Sequence, residues 1–398
     1  MKSLMWVVFT IVLTREISAQ SIDPEPTERL DEIQAQRLEK LGSVAPDPPA
    51  TTQNSFPLAR YLLRHLNFSV NGLGTGHGPA IGSAFQWYRD ADRVSLNVWG
   101  NVAIHEFYTV GTGLELRRFS KHDGRIALEA SHSDAPQLDY YGPGPNSSVH
   151  NHTNFRREDT LFSLKASLRE NRHFGQECRL GGLLLNVGPG TNDDLPTTQS
   201  VFGPIEAPGI DMQTNYLIGG CSAEVDWRDV PTDPHKGTYA TANYNRYQAE
   251  ALDEFSFNRL SIAAEQYIPF FNRKRVIALR GVTELSYHGR DQVVPFYLQP
   301  TLGSDMELRG YPRYRFYDEN SLALTVEYRW EIGAGLDMAV FNDSGNVFHR
   351  PGQISLHEMK NSVGFGLRLK NQKNMFVRLD VGFSREGFQV WLKFATQL

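Results

Sequence analysis

Leu322, Leu324, Val326, Tyr328 and Trp330 alternate with Ala323, Thr325, Glu327, Arg329 and Glu331. A period of two belongs to a β-strand, so one face of this segment is apolar and the other carries three charges. The split recurs. Val363, Phe365, Leu367 and Leu369 stand against Gly364, Gly366, Arg368 and Lys370, and Met375, Val377, Leu379, Val381 and Phe383 against Phe376, Arg378, Asp380 and Gly382. Upstream, Phe162, Leu164, Ala166 and Leu168 oppose Ser163, Lys165, Ser167 and Arg169, while Ile126, Leu128 and Ala130 oppose Ala127, Glu129 and Ser131.

A soluble sandwich also alternates, but its strands usually run about five or six residues. These runs reach about nine to twelve, the length a tilted strand needs to cross a hydrocarbon layer. A transmembrane antiparallel β-barrel accounts for the length and for the modest mean hydropathy of −0.41, because inward residues are polar and dilute the average. The chain has 398 residues. From about Tyr61 onward, roughly 20 residues per strand and connection give about 16 strands. The expected class is therefore all-β, with one short helix near the amino terminus.

That terminus reads as export machinery. Lys2 precedes an apolar run from Leu4 to Leu13, and Ile17-Ser18-Ala19 offers a small-residue cleavage site, so residues 1–19 are expected to be a signal peptide. Within 20–56, residues 27–41 place Leu30, Ile33, Leu38 and Leu41 along one side of an amphipathic helix. Pro46, Pro48 and Pro49 then make a linker. The helix reads equally as a spacer, a partner-docking segment or a plug. The barrel is expected over 57–398.

Several functions are excluded or left without support. A net charge of −5 provides no electrostatic footprint for nucleic acid. His150 and His152 would share a strand face, but they sit in the polar loop-like stretch PNSSVHNHTN with no third ligand marked. No nucleophile elbow, phosphate loop or zinc-ligand set follows the export signal, so neither an enzyme nor a cofactor is expected. Cys178 and Cys221 are too few for a disulfide scaffold, and the sequence leaves their pairing open.

Two segments carry unusual chemistry. Met306 to Phe316, MELRGYPRYRF, puts three arginines and three aromatics between strand patterns. In Gly335 to Gly345, outward Leu336, Met338 and Val340 would turn Asp337, Phe341 and Asp343 inward. Asn342-Asp343-Ser344-Gly345 is equally a hairpin-turn signal.

These residues resemble motifs of the Omp85 superfamily of outer-membrane barrels. Leu308-Arg309-Gly310-Tyr311 with Arg315-Phe316, followed by the strand holding Glu327 and Arg329, is similar to the family's sixth-loop motif and the strand after it. Phe341, Asp343 and Gly345 match its Phe-x-Asp-x-Gly motif, and Asp139-Tyr140-Tyr141-Gly142 and Val294-Pro295-Phe296-Tyr297 also look like family features.

The resemblance implies an outer-membrane barrel that inserts or translocates protein or lipid. Loop 303–319 would fold into the lumen with Arg309 against Asp343. A guanidinium can bridge a carboxylate through two parallel bonds, Gly310 would permit close backbone approach, and Tyr311 would pack on the wall. It further implies a seam between a first strand rich in Gly72, Gly74 and Gly76 and a last strand opening with Gly387, serving as a lateral gate. The residues alone are equally compatible with a closed wall carrying a loose first strand. Outer-membrane lipids, lipopolysaccharide among them, are the expected surroundings, with a periplasmic or outer-membrane protein partner docking through residues 27–41. Two departures stand out: Gln20 to Ala59 is too short for the family's periplasmic POTRA domain, and Phe394 is followed by four more residues rather than ending the chain. A passive porin, or a barrel anchoring a partner, remain the alternatives.

Overall fold

The structure is a computed structural model that describes residues 66–72, 79–89, 93–103, 107–117, 123–271, 274–333, 335–356, 358–370 and 375–394. The chain divides into two units, Met1–Pro57 and Leu58–Leu398, and every described residue belongs to the second. The expected signal peptide, amphipathic helix and linker lie outside the described residues, as do Gly74 and Gly76.

Among the described residues, sixteen strands form one antiparallel sheet in which each strand pairs with the next wall strand in sequence. They are β1 (Leu66–Gly72), β2 (Pro79–Arg89), β3 (Val94–Ala103), β4 (Tyr108–Arg117), β5 (Arg125–Tyr140), β6 (Thr153–Asn171), β7 (Phe174–Pro189), β8 (Tyr216–Asp226), β9 (Gly237–Ala249), β10 (Phe257–Phe270), β11 (Arg275–Tyr287), β14 (Asn320–Gly333), β15 (Leu336–Phe348), β16 (Lys360–Lys370), β17 (Met375–Ser384) and β18 (Gly387–Phe394). A two-stranded ribbon, β12 (Thr301–Leu302) and β13 (Phe316–Tyr317), lies in the connection between β11 and β14. β1 and β18 approach each other, but no ladder joins them among the described residues. The sheet is the wall of a β-barrel.

The period-two reading holds strand by strand. Leu324 and Val326 on β14, Val340 on β15, Val363 and Phe365 on β16, and Phe388, Val390 and Leu392 on β18 are all exposed, whereas Glu327, Asp343, Arg368 and Asp380 on the alternate positions are buried. Apolar side chains facing out with charged ones facing in is the reverse of a soluble domain, and suits a wall surrounded by lipid. At one end of this apolar band Phe270 stacks on Tyr328 and Tyr328 on Trp330. Such rings are suited to the membrane–water boundary, where an apolar body and a polar edge are both accommodated.

Strand length departs from expectation. β6 runs 19 residues and β5 and β7 run 16 each, well past the nine to twelve read from the alternation. The surplus has no lipid face: Asp134, Arg156 and Glu158 form ion pairs on the same side as the apolar residues further down, and the apolar Leu138, Tyr140 and Phe155 are buried. Alternation marks only the lipid-crossing part of a strand, so an extension beyond the band carries no period for a sequence to show.

The connections differ in size. Residues 172–173 make a short turn at one end, while 190–215 and 288–319 span the other. Phe202, Phe296, Tyr297 and Tyr317 of these longer segments pack with Tyr140 and Phe155 of the wall into one buried aromatic cluster. Its members Tyr140 and Phe296 lie 5.2 Å apart, edge to face. Cys178 and Cys221 are directly opposed on β7 and β8 and form a disulfide.

Candidate functional site

The segment 303–319 is built as a closed unit before it touches the wall. The Thr301↔Tyr317 and Leu302↔Phe316 pairs of the ribbon draw its ends together. Inside, the Ser304 hydroxyl accepts the amides of Met306 and Glu307, each at 3.0 Å, and donates to the Glu307 carboxylate at 2.8 Å. Gly303 (φ 102°) has a left-handed backbone, and a Cβ there would fall 2.2 Å from the Pro312 carbonyl. Leu308 also has a positive φ, 54°, without being glycine. Such a conformation costs about 1–3 kcal/mol and persists only where packing holds it. Here Leu308 is fully buried with Leu302, Tyr311 and Phe316, and the turn delivers the next residue to the wall.

That residue is Arg309, with only 1 % of its surface exposed. It donates from Nε to Asp343 Oδ2 at 2.9 Å and from Nη2 to Asp343 Oδ1 at 2.8 Å, a two-bond grip, and its backbone amide adds a third bond to Oδ2 at 3.1 Å. Nη1 reaches Glu327 at 2.7 Å and Asp380 at 3.4 Å. One guanidinium therefore joins carboxylates from β14, β15 and β17. The guanidinium carbon also lies 3.3 Å from the centroid of the Phe341 ring.

The wall balances these carboxylates from its own side. Arg368 donates to Asp380 at 2.6 Å and to Glu327 at 3.3 Å, Arg329 to Glu327 at 2.6 Å, and Arg378 to Asp380 at 2.6 Å. Thr325 and Ser362 hydroxyls donate to Asp343 at 3.0 and 3.3 Å. A buried charge without partners would be prohibitive, but in this cluster every ionised group is hydrogen-bonded to a group of opposite sign.

Missing side chains make the approach close enough. A Cβ on Gly310 would fall 2.6 Å from the backbone of Phe383, and one on Gly382 would fall 2.4 Å from the Arg309 carbonyl. A Cβ on Gly364 would strike the Phe341 ring at 2.3 Å. The segment thus lies backbone against backbone on β17.

Further contacts pin its periphery. Arg280 of β11 donates to the Met306 carbonyl at 3.1 Å and to Glu307 at 3.0 Å. Arg315 binds Glu386 through two bonds of 2.7 and 2.9 Å and reaches Ser147 in the β5–β6 connection. Tyr317 donates to the Asp139 carbonyl at 2.8 Å, and its ring meets Tyr140. At the segment's end Glu319 accepts from the Val294 amide at 3.2 Å and pairs with His288 at 2.7 Å. The hydrogen bond to Glu319 raises the His288 pKa above its ordinary value, against an opposing effect of burial.

The sequence matches the Omp85 superfamily domain over residues 93–384. The chain belongs to the Omp85 superfamily. Its fold is similar to the crystal structure of BamA from Haemophilus ducreyi lacking POTRA domains 1-3, with a TM-score of 0.62 at 13 % identity, covering 83 % of this chain and 69 % of that one. CdiB from Escherichia coli matches with a TM-score of 0.50 at 12 % identity, covering 95 % of this chain and 72 % of the other. No curated protein matches. The family and the barrel fold indicate the bacterial outer membrane.

Within this Omp85 chain the structure brings Leu308, Arg309, Gly310 and Tyr311 together with Phe341, Asp343, Gly345, Glu327 and Arg329. The hairpin-turn reading of Asn342 to Gly345 is overturned: these residues lie inside β15, where Asp343 pairs with Thr325 on one side and Ser362 on the other. Strong turn formers are tolerated there because Asp343 is committed to Arg309 and Gly345 leaves room for the Leu302 and Leu308 side chains. Asp139 to Gly142 and Val294 to Tyr297, far apart in sequence, meet in the aromatic cluster. Gly72 ends β1, and Gly387 opens β18 with a positive φ of 127°.

His152 pairs with Asp139 at 2.8 Å and stacks on Tyr141, while His150 is exposed. Asp233, His235 and Asp337 do bring ligand atoms within 4.8 Å of one another, but the Lys370 ammonium pairs with both carboxylates and already supplies the positive charge. Sequence reasoning placed Arg368, Arg378 and Asp380 on the polar faces of their strands without singling them out. It named Arg315 within the loop motif but missed its partner Glu386, together with Trp391, Lys393 and Asp305. A tryptophan and a lysine at inward positions of an edge strand were the available signal.

Proposed function

We propose that this chain inserts or translocates protein or lipid at the outer membrane, as a non-enzymatic barrel whose segment 303–319 lies folded in the lumen. The observation carrying this reading is the buried two-bond pair between Arg309 and Asp343, reinforced by Glu327 and Asp380. A pore that only conducts has no need of a strained turn and four inward glycine or serine contacts to seat one arginine at mid-wall. A translocase has, because a docked segment closes the bore at rest and its release opens a route. The seam between β1 and β18, where no ladder is formed among the described residues, serves as the lateral exit, and Gly72 and Gly387 at its two strand ends weaken it further. The surrounding partners are outer-membrane lipids including lipopolysaccharide, and residues 27–41 dock a protein partner on the periplasmic side.

Single-channel recording in planar bilayers tests the reading. The intact protein should show small, fluctuating conductance, and Arg309→Ala should raise its mean severalfold by freeing the segment. Stable, large, anion-selective conductance in the unaltered protein would instead make it a porin with an arginine-rich constriction. Capture of a partner that is lost on deleting residues 20–56 would support the docking role.

A further inference from the structure

We infer that segment 303–319 also clamps the last wall strand, with Trp391 as the positioning residue that couples the two; this rests on reading the segment as the resting closure of the barrel. Among the described residues β18 has a ladder on one edge only, to β17. An eight-residue strand laddered on one edge is poorly held by backbone bonds alone. Its inward side chains make up the difference. Trp391, 8 % exposed, donates Nε1–H to the Arg309 carbonyl at 2.7 Å. The Arg313 guanidinium sits 4.9 Å from the Trp391 ring, and Lys393 forms an ion pair with buried Asp305. In the turn that starts the strand, Glu386 takes both bonds from Arg315.

Every one of these partners belongs to the segment and none to another wall strand. Arg309 thus works in two directions. Its side chain grips β14, β15 and β17, while its carbonyl receives β18. Undocking the guanidinium moves that carbonyl, so the segment cannot leave the wall without releasing the edge of the seam. Docking and seam closure become one event, and whatever draws the segment away opens the side of the barrel as well as its bore.

Hydrogen exchange on the full protein in lipid nanodiscs tests this. Trp391→Phe keeps a ring for Arg313 but removes the N–H. It should speed exchange of β18 amides roughly five- to tenfold, the effect of one lost buried hydrogen bond, and leave β10 and β11 unchanged. Lys393→Gln should act in the same direction. In an Arg309→Ala background, Trp391→Phe should add little, because the clamp is already released. Unchanged β18 exchange in both single variants, or a full extra effect in the double variant, would overturn the clamp. The underlying reading fails separately: if Arg309→Ala leaves residues 303–319 as protected as before, the segment is not held by that arginine. If β18 loosens in Trp391→Phe while conductance and cargo handling stay the same, the clamp stands and the seam is not the route.

Discussion

Asp343 depends on Arg309 more than the other wall carboxylates do. Arg329, Arg368 and Arg378 pair with Glu327 and Asp380, whereas the ion pair of Asp343 is made with Arg309. Either partner is therefore costly to remove. Arg309→Gln leaves the buried Asp343 carboxylate with hydroxyl donors and Asp343→Ala takes away the two-bond grip on the guanidinium, and each should cost about 3–5 kcal/mol of stability. Denaturant unfolding in detergent micelles, run as a double-mutant cycle on both positions, should return a coupling well above 1 kcal/mol; independent effects would refute the pair. Arg309→Lys should rescue poorly, since an ammonium cannot reproduce two parallel bonds to Asp343 and a third to Glu327. At the far end of the segment, His288 titrates. Its pKa is raised in the folded state, so its bond to Glu319 contributes fully below about pH 6.5 and is lost as pH rises through the raised value. Protease cleavage within 288–319 should accelerate over that rise, and His288→Gln should flatten the dependence.

Among the elements, β7 and β8 are the only described neighbours joined covalently. Cys178 and Cys221 close a sequence separation of 43 residues that includes the 190–215 connection. Bridges of this kind form in oxidising compartments, in keeping with an exported chain. Because the ladder already aligns the strands, Cys178→Ser with Cys221→Ser should cost no more than about 4 kcal/mol, the chain-entropy ceiling for such a loop. The loss should appear as a lower melting temperature with unchanged strand content, measured by circular dichroism. The β8–β9 turn is organised differently, by Asp229 accepting the amides of Val230, His235 and Lys236, and reaches Lys370 of β16 through Asp233. The β11–β14 and β8–β9 connections are thus both fastened to the polar side of the same part of the wall. Neither fastening is visible in the strand alternation, because Arg309 stands 34 positions from Asp343 and Asp233 lies far upstream of Lys370.

For the molecule as a whole, the sequence was enough to determine a barrel of about sixteen membrane-crossing strands and to choose the facing of most side chains. The reason is that lipid on one side and polar groups on the other impose a strict period of two, and that period survives in any single strand. Arg309 and Asp343 came forward through their resemblance to family motifs, since the residues around Asp343 by themselves read equally as a turn. What it left undecided was whether Asn342 to Gly345 turn or continue, and only the ladder to β14 and β16 decided that. Strand length beyond the apolar band was hidden for lack of any period. So were the disulfide, the aromatic cluster at the long connections, and the grip of Trp391, Lys393 and Glu386 on one segment. These depend on which wall strands the segment lies across once the sheet has curled. A local pattern records the environment of each residue, whereas a partner across a barrel is fixed only by the path of the chain between them.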